Sequence, residues 1–232
     1  AAGATSNFFG NKEIEKGSMA MKSLSEAARI RNTVLANIER AITTEDPVFR
    51  QELLNIVVVG GGATGVELAG VMSEMKKTIL PRDYPELDAS LMNVYLIQGD
   101  NRLLPGMAPE SSQKAIDFLR SMGVNVILSK FVNDYKNHKV MLNDGSSIAT
   151  RSLIWVSGII GVAFEGLEKE HYGRGRRLLV DGYNRVIGLE DVFCIGDQCI
   201  MPEVDKAYMN GHPQLAQVAI QQGKRLARNL IR

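Results

Sequence analysis

The sequence predicts an α/β fold: a doubly wound parallel sheet with a small antiparallel meander. Three observations predict it. Asn55 to Gly70 reads strand, glycine turn, helix. β-branched Ile56 to Val59 comes first, then Gly60, Gly62 and Gly65 at the spacing G-x-G-x-x-G, then Val66, Ala69 and Met72 to Met75 at helical steps. Two further apolar runs, Val94 to Ile97 and Val124 to Leu128, flank a helical pattern over Glu110 to Met122. The order β-α-β-α-β implies parallel strands with right-handed crossovers. Phe131 to Ile148 then breaks into short alternating segments around the turn Asn143-Asp144-Gly145, the mark of a meander.

Each glycine of the motif has a physical task. Gly60 permits a tight turn off the strand. A side chain at Gly62 would block a pyrophosphate from the backbone, and Gly65 lets the helix lie close to the strand. The helix start, with Ala63 and Thr64, offers free N–H groups and the positive dipole end to phosphates. The unit is therefore Rossmann-like, and a dinucleotide is its expected ligand.

The remaining elements follow in order. Residues 1 to 22 read as mostly irregular, with Phe8 and Phe9 anchoring a loop. Ser23-Leu24-Ser25-Glu26 is a capping box, and Ala27, Ile30, Val34, Ile38 and Ile42 continue a helix to about Thr44, where Asp46-Pro47 closes it. The helix after the glycines runs to about Leu80 and stops at Pro81, and Pro81 to Ala89 is a surface excursion. On Glu110 to Met122 the apolar stripe is Ala115, Phe118, Leu119 and Met122. Ser152 to Val156 is a buried strand ending at Gly158, and Glu165 to Gly175 is a polar loop. Leu178 to Val180, Arg185 to Ile187 and Asp191 to Ile195 read as short strands. Gln214 to Ile231 is a helix with Leu215, Val218, Ala219, Leu226 and Leu230 on one face.

Bulk properties narrow the function. A net charge of +1 argues against a nucleic-acid partner. There is no run of about eighteen uncharged apolar residues, the length that spans a bilayer. Two cysteines make no disulfide framework, so a reducing, cytoplasmic compartment is expected. The three histidines show no metal-ligand spacing, and no metal is expected.

Several side chains are candidates for chemistry. Gln98 closes the second strand, where an acid normally holds the adenosine ribose and rejects a 2′-phosphate. Glutamine keeps the hydrogen bonds without the charge. Asp100 and Arg102 beside it pull in opposite directions, and NADH is favoured over NADPH. Glu67 either complements the helix dipole or faces a nicotinamide. Asp197 ends a strand at the edge where α/β sheets bind ligands, or simply forms a turn. Cys194 and Cys199, spaced C-x4-C, read as small buried apolar groups rather than a redox dithiol, with no His or Lys adjacent in sequence. Arg174, Arg176 and Arg177 read as a solvated loop.

Five stretches together resemble type II NADH:quinone oxidoreductases, FAD enzymes of the pyridine nucleotide–disulfide oxidoreductase superfamily. They are Ala1 to Thr5 with Asn7 to Gly10, Gly60 to Glu67, Leu153 to Gly158, Asp191 to Asp197, and the A-Q-x-A-x-Q pattern of Ala216 to Gln221. The resemblance implies a nicotinamide-orienting role for Glu67. It implies FAD contacts at Gly158, Gly196, Asp197, Ala216 and Gln217, and a flavin- and quinone-facing edge at Gln217 and Gln221. It implies residues 1–51 as the end of a first FAD-domain part plus a linking helix, 52–157 as the NAD(H)-binding domain, and 158–232 as the second FAD-domain part. The cofactors are then NADH and FAD, and the acceptor a quinone. The parent protein would lie peripherally on the inner face of the cell membrane, and a homodimer is compatible. The small, Met-less start and the single glycine fingerprint predict an internal fragment, inactive alone, with an incomplete FAD site. A soluble NADH oxidase or peroxidase-type flavoenzyme, or a non-catalytic nucleotide-binding module, are the alternatives.

Overall fold

A computed structural model describes residues 2–202 and 211–231, so Ala1 and Arg232 lie outside it. The chain forms two compact units, residues 8–158 and residues 2–7 with 159–231.

In the first unit, β3 (Asn55–Val59) is the centre of a five-stranded sheet in the order β2-β9-β3-β4-β5. The others are β2 (Met19–Ala20), β4 (Asn93–Ile97), β5 (Val124–Ile127) and β9 (Ser152–Trp155), and every pairing is parallel. Strand residues alternate between faces. Ile56, Val58, Val94, Leu96 and Ile154 point to one apolar cluster, whereas Val57, Val59, Ile97, Leu153 and Trp155 point to the other. The first cluster is covered by α2 (Leu24–Thr43), α3 (Pro47–Leu54), α4 (Ala63–Thr78) and α6 (Pro109–Ser121). The second is covered by α1 (Lys12–Gly17) and the meander β6 (Val132–Lys136), β7 (Lys139–Leu142) and β8 (Ser147–Ala149). Both faces are thus buried, which is why β3 and β9 read as unbroken apolar runs.

The expected capping box is present: Ser23 Oγ accepts from Glu26 N at 3.3 Å, and Glu26 accepts from Ser23 N at 2.7 Å. The meander turn is also as expected, with Asp144 accepting from Ser146 N at 3.0 Å and paired to Lys130 at 2.8 Å.

Several expectations are corrected. Residues 2–22 hold more regular structure than expected: Asn11 caps α1, β2 joins the sheet edge, and β1 (Ala4–Ser6) pairs with β10 (Ile159–Gly161) in the second unit. Asp46-Pro47 ends nothing. Asp46 accepts from Val48 N at 2.9 Å and Pro47 opens α3, where its missing N–H is harmless. Pro81 likewise sits in the first turn of α5 (Leu80–Asp83), and Leu87 is buried within the supposed excursion. On α6 the inward residues are Ser112, Ile116 and Leu119, and Phe118 is 65% exposed. The first unit, residues 8–158, takes in α2, which packs under the sheet, and β2, which extends it.

The second unit is built of short pieces. β11 (Leu178–Leu179) and β12 (Cys199–Ile200) pair in parallel, and α7 (Ala216–Leu230) follows. Arg185 to Ile187 and Asp191 to Ile195 are not strands: they meet only at the isolated bridges Val180–Val186 and Arg185–Phe193, with no longer neighbour to extend the ladder. The core is a small cluster around Leu178, Val180, Val186, Cys199 and Met201. Leu215 and Leu230 lie on the exposed side of α7, and the inward stripe is Val218, Ala219, Gln222, Gly223 and Leu226.

Candidate functional site

The glycine loop lies at the carboxyl end of β3, the edge where α/β sheets bind ligands. Backbone bonds hold it from both sides: Gly60 N donates to Ile97 O at 2.9 Å, and Leu104 N donates to Gly61 O at 2.7 Å. Gly60 has φ +121°, and a Cβ there would lie 2.7 Å from Val156 O. A Cβ at Gly65 would sit 1.8 Å from Gly60 O, so the helix cannot approach this strand with any other residue. Gly61, which the sequence pattern leaves unspecified, is also confined, though by side chains rather than backbone: its Cβ would meet Leu103 at 2.6 Å and Gln98 at 2.9 Å. Gly62 is different. It is exposed, its φ is −74°, and a Cβ there would meet nothing within 4 Å. No packing inside the protein requires glycine at that position, whereas a ligand against the backbone would.

α4 starts at Ala63 with no side-chain cap, so its first-turn N–H groups, with exposed Ala63 and Thr64 among them, are left to solvent or an anion. Glu67 is exposed and stands beyond the first turn of α4, so it is not the dipole complement weighed from sequence. Gln98 comes directly to the loop. Its Oε1 accepts from Gly61 N at 2.7 Å, and its Nε2 donates to Asp100 Oδ2 at 2.9 Å. Gln98, Gly99, Asp100, Phe131 and Trp155 line a cavity of about 330 Å³ at this edge. Gly60, Gly62, Ala63, Thr64, Gly65 and Gln98 are therefore brought together at the carboxyl end of β3. Gly158 ends the same unit just beyond β9.

In the second unit, Gly196, Asp197 and Ala216 line one cavity of about 930 Å³ with Gly3, Phe164, Val192 and Ile195. Gln217 and Gln221 are exposed, and Gln221 lines a separate hollow with His212, Lys224 and Arg225. The glutamine that reaches the Gly196 turn is Gln222, whose Oε1 accepts from Gly196 N at 2.7 Å. Its position four residues after Val218 was the available signal, since both lie on the inward stripe of α7.

The cysteines are more than isolated apolar groups. Their thiols hydrogen-bond one another, which pushes Cys194 up and holds Cys199 below the ordinary thiol range. The Arg177 guanidinium, distant in sequence, also favours the Cys199 thiolate. Arg177 is half-buried and donates to His212 O at 3.2 Å, and Arg176 donates to Gly161 O at 2.7 Å, so two of the three arginines are structural rather than simply solvated. Burial pushes the Arg177 guanidinium down from its usual value.

The model of the pyridine nucleotide-disulphide oxidoreductase family matches residues 1–223. The chain belongs to this family. Among curated members it resembles the type II NADH:quinone oxidoreductase Ndh of Mycobacterium tuberculosis, at 30% identity over 98% of this chain and 49% of that protein. It also resembles the type II NADH:quinone oxidoreductase of Haemophilus influenzae, at 28% identity over 99% of this chain and 54% of the relative. The chain spans about half the length of the curated relatives it matches. NDH2 from Plasmodium falciparum, solved in complex with NADH, shares the fold with a TM-score of 0.79 at 24% identity, over 86% of this chain and 43% of that one. The pyridine nucleotide-disulphide oxidoreductase fold accounts for the parallel sheet and glycine turn described above.

Proposed function

We propose that this chain supplies the NADH-binding part of a type II NADH:quinone oxidoreductase, with residues 52–157 as the nucleotide domain and 158–232 as the second part of an FAD-binding domain. The observation that carries the reading is Gly62, open to solvent between two glycines that packing confines. Such a position fits a backbone made for close approach of a pyrophosphate. The curated relatives are NADH:quinone oxidoreductases, which supports the same donor and acceptor here.

The second unit's cavity fits part of a flavin. It has an apolar wall at Phe164, Val192 and Ile195, and Gly3 leaves open backbone, since a Cβ there meets nothing within 4 Å. Gly196, Asp197 and Ala216 would hold the cofactor there, and Gln222 would keep the Gly196 turn in shape. When bound, FAD supplies the hydride acceptor and passes electrons singly or in pairs to a quinone. This chain's residues bind and orient. The glycine loop and α4 hold the pyrophosphate, Gln98 braces the loop, and Glu67 orients the nicotinamide. Gln217 and Gln221, exposed on α7, are proposed to meet flavin and quinone. Peripheral attachment to the inner face of the cell membrane and a homodimer belong to the same proposal for the whole protein. Among the described residues, no helix is long and apolar enough to cross a membrane.

Titration with NADH, followed by Trp155 fluorescence, tests the nucleotide site, because Trp155 lines the adjoining cavity. Saturable binding that Gly62→Val abolishes is expected. Binding that survives Gly62→Val would overturn the reading. In the full-length protein, NADH oxidation that reduces a quinone analogue is expected, and reduction of oxygen or peroxide alone would favour the NADH-oxidase alternative.

A further inference from the structure

We propose that Asp100 sets the nucleotide preference of this site and makes it select NADH over NADPH. The inference deepens the reading of the glycine loop as the dinucleotide site and rests on it.

The adenosine ribose of a dinucleotide lies near the end of the strand that follows the glycine-loop helix, here β4. Gln98 is the residue at that end, but its amide is committed. Oε1 accepts from Gly61 N at 2.7 Å and Nε2 donates to Asp100 at 2.9 Å. Turning Gln98 toward a ribose would strip the buried Gly61 N–H of its partner, an unfavourable exchange. Gln98 is a brace.

The backbone that carries Asp100 is pinned. Lys130 N donates to Gln98 O at 3.1 Å, and Ser129 N donates to Asp100 O at 2.9 Å. Between them Gly99 is pressed on Phe131, where a Cβ would come within 2.4 Å of the ring. Asp100 therefore stands at a fixed place on the rim of the cavity it shares with Gln98 and Phe131, exposed, with one carboxylate oxygen taken by Gln98.

Electrostatics decide the sign. Two cations lie close in sequence or space, and both have other partners: Arg102 donates to Pro105 O, and Lys130 pairs with Asp144 at 2.8 Å. Among the described residues no ion pair neutralises Asp100. Its carboxylate is thus a negative charge without an ion-pair partner at the end of β4, where the ribose is expected. It can accept from ribose hydroxyls, and it repels the two negative charges of a 2′-phosphate. The glutamine that weakens the acidic signal in the sequence is what orients the acid two residues further on.

The test titrates the wild-type chain, Asp100→Asn and Arg102→Ala with NADH and with NADPH, reading Trp155 fluorescence, and checks each variant's fold by urea unfolding. Wild type should bind NADH about 10-fold or more tightly than NADPH, the scale of a charged hydrogen bond gained or opposed. Asp100→Asn should bring the ratio toward unity by weakening NADH and strengthening NADPH, and Arg102→Ala should leave it unchanged. Higher salt should narrow the wild-type preference by screening the carboxylate, and should do nothing in Asp100→Asn. Equal binding of both nucleotides by wild type, or an unchanged ratio in Asp100→Asn, overturns the inference and leaves the glycine-loop reading standing. Binding of neither nucleotide overturns both.

Discussion

The two units differ in how much of their apolar surface they cover themselves. Residues 8–158 wrap a five-stranded parallel sheet on both faces, and β3 and β9 are buried along their whole length. The second unit holds one small cluster and two-stranded pairings, and no described residue of α7 is fully buried. Val192, Ile195, Leu215, Ile220 and Leu230 remain exposed there. Apolar sequence is present in both, yet only the first unit supplies the parallel neighbours that turn it into a core. The second unit thus leaves a larger share of its apolar side chains uncovered by its own residues.

Truncation is the strongest way to break this comparison. Leu96→Ala removes a fully buried side chain from the central sheet and should destabilise the first unit by about 2–5 kcal/mol in urea unfolding followed by Trp155. Leu230→Ala, at a residue 62% exposed, should stay within about 0.5 kcal/mol. Equal effects would mean that the second unit is as well packed as the first.

The glycines sharpen the contrast between packing and function within one loop. Gly65→Ala forces α4 away from Gly60 O and should cost about 1–3 kcal/mol together with nucleotide binding. Gly62→Val should leave the unfolding midpoint in place and remove binding alone. Loss of stability in both variants would show that the loop is simply a packed turn.

Smaller effects are expected at two caps. Gln222→Ala leaves Gly196 N without its partner and should destabilise the second unit by about 1 kcal/mol, visible as faster hydrogen exchange around Gly196. Ser23→Ala should lower the first unit's stability by about 1 kcal/mol through loss of the α2 cap. The same cap has a pH signature. Hydrogen bonds from Lys22 N and from Ser23 hold the Glu26 carboxyl below its usual range. Its contribution is therefore complete above the unfolded glutamate value near 4.3, and fades as pH falls through the lower folded value. Stability that instead rises on acidification in this window, relative to Glu26→Gln, would contradict the capping box.

The glycine fingerprint, the capping box and the period-two and helical patterns were legible in the sequence because they are local: each depends on residues a few positions apart. They determined β3, α2, α4, the meander and the α/β class. Proline and aspartate misled at Asp46-Pro47 and Pro81, since the same residues that end a helix also begin one, and the choice depends on what the next turn packs against. Asp191 to Ile195 reads as a strand by composition, but a strand exists only where a partner lies alongside, and that is a tertiary fact. The site divides the same way. The glycines stood out in the sequence, whereas the Gln98 brace on Gly61 joins residues 37 positions apart, the Gln222 contact to Gly196 spans 26, and the approach of Arg177 to Cys194 and Cys199 spans 17 and 22. Only folding brings such groups within hydrogen-bond reach, and only then does a neutral glutamine become the support for the acid beside it.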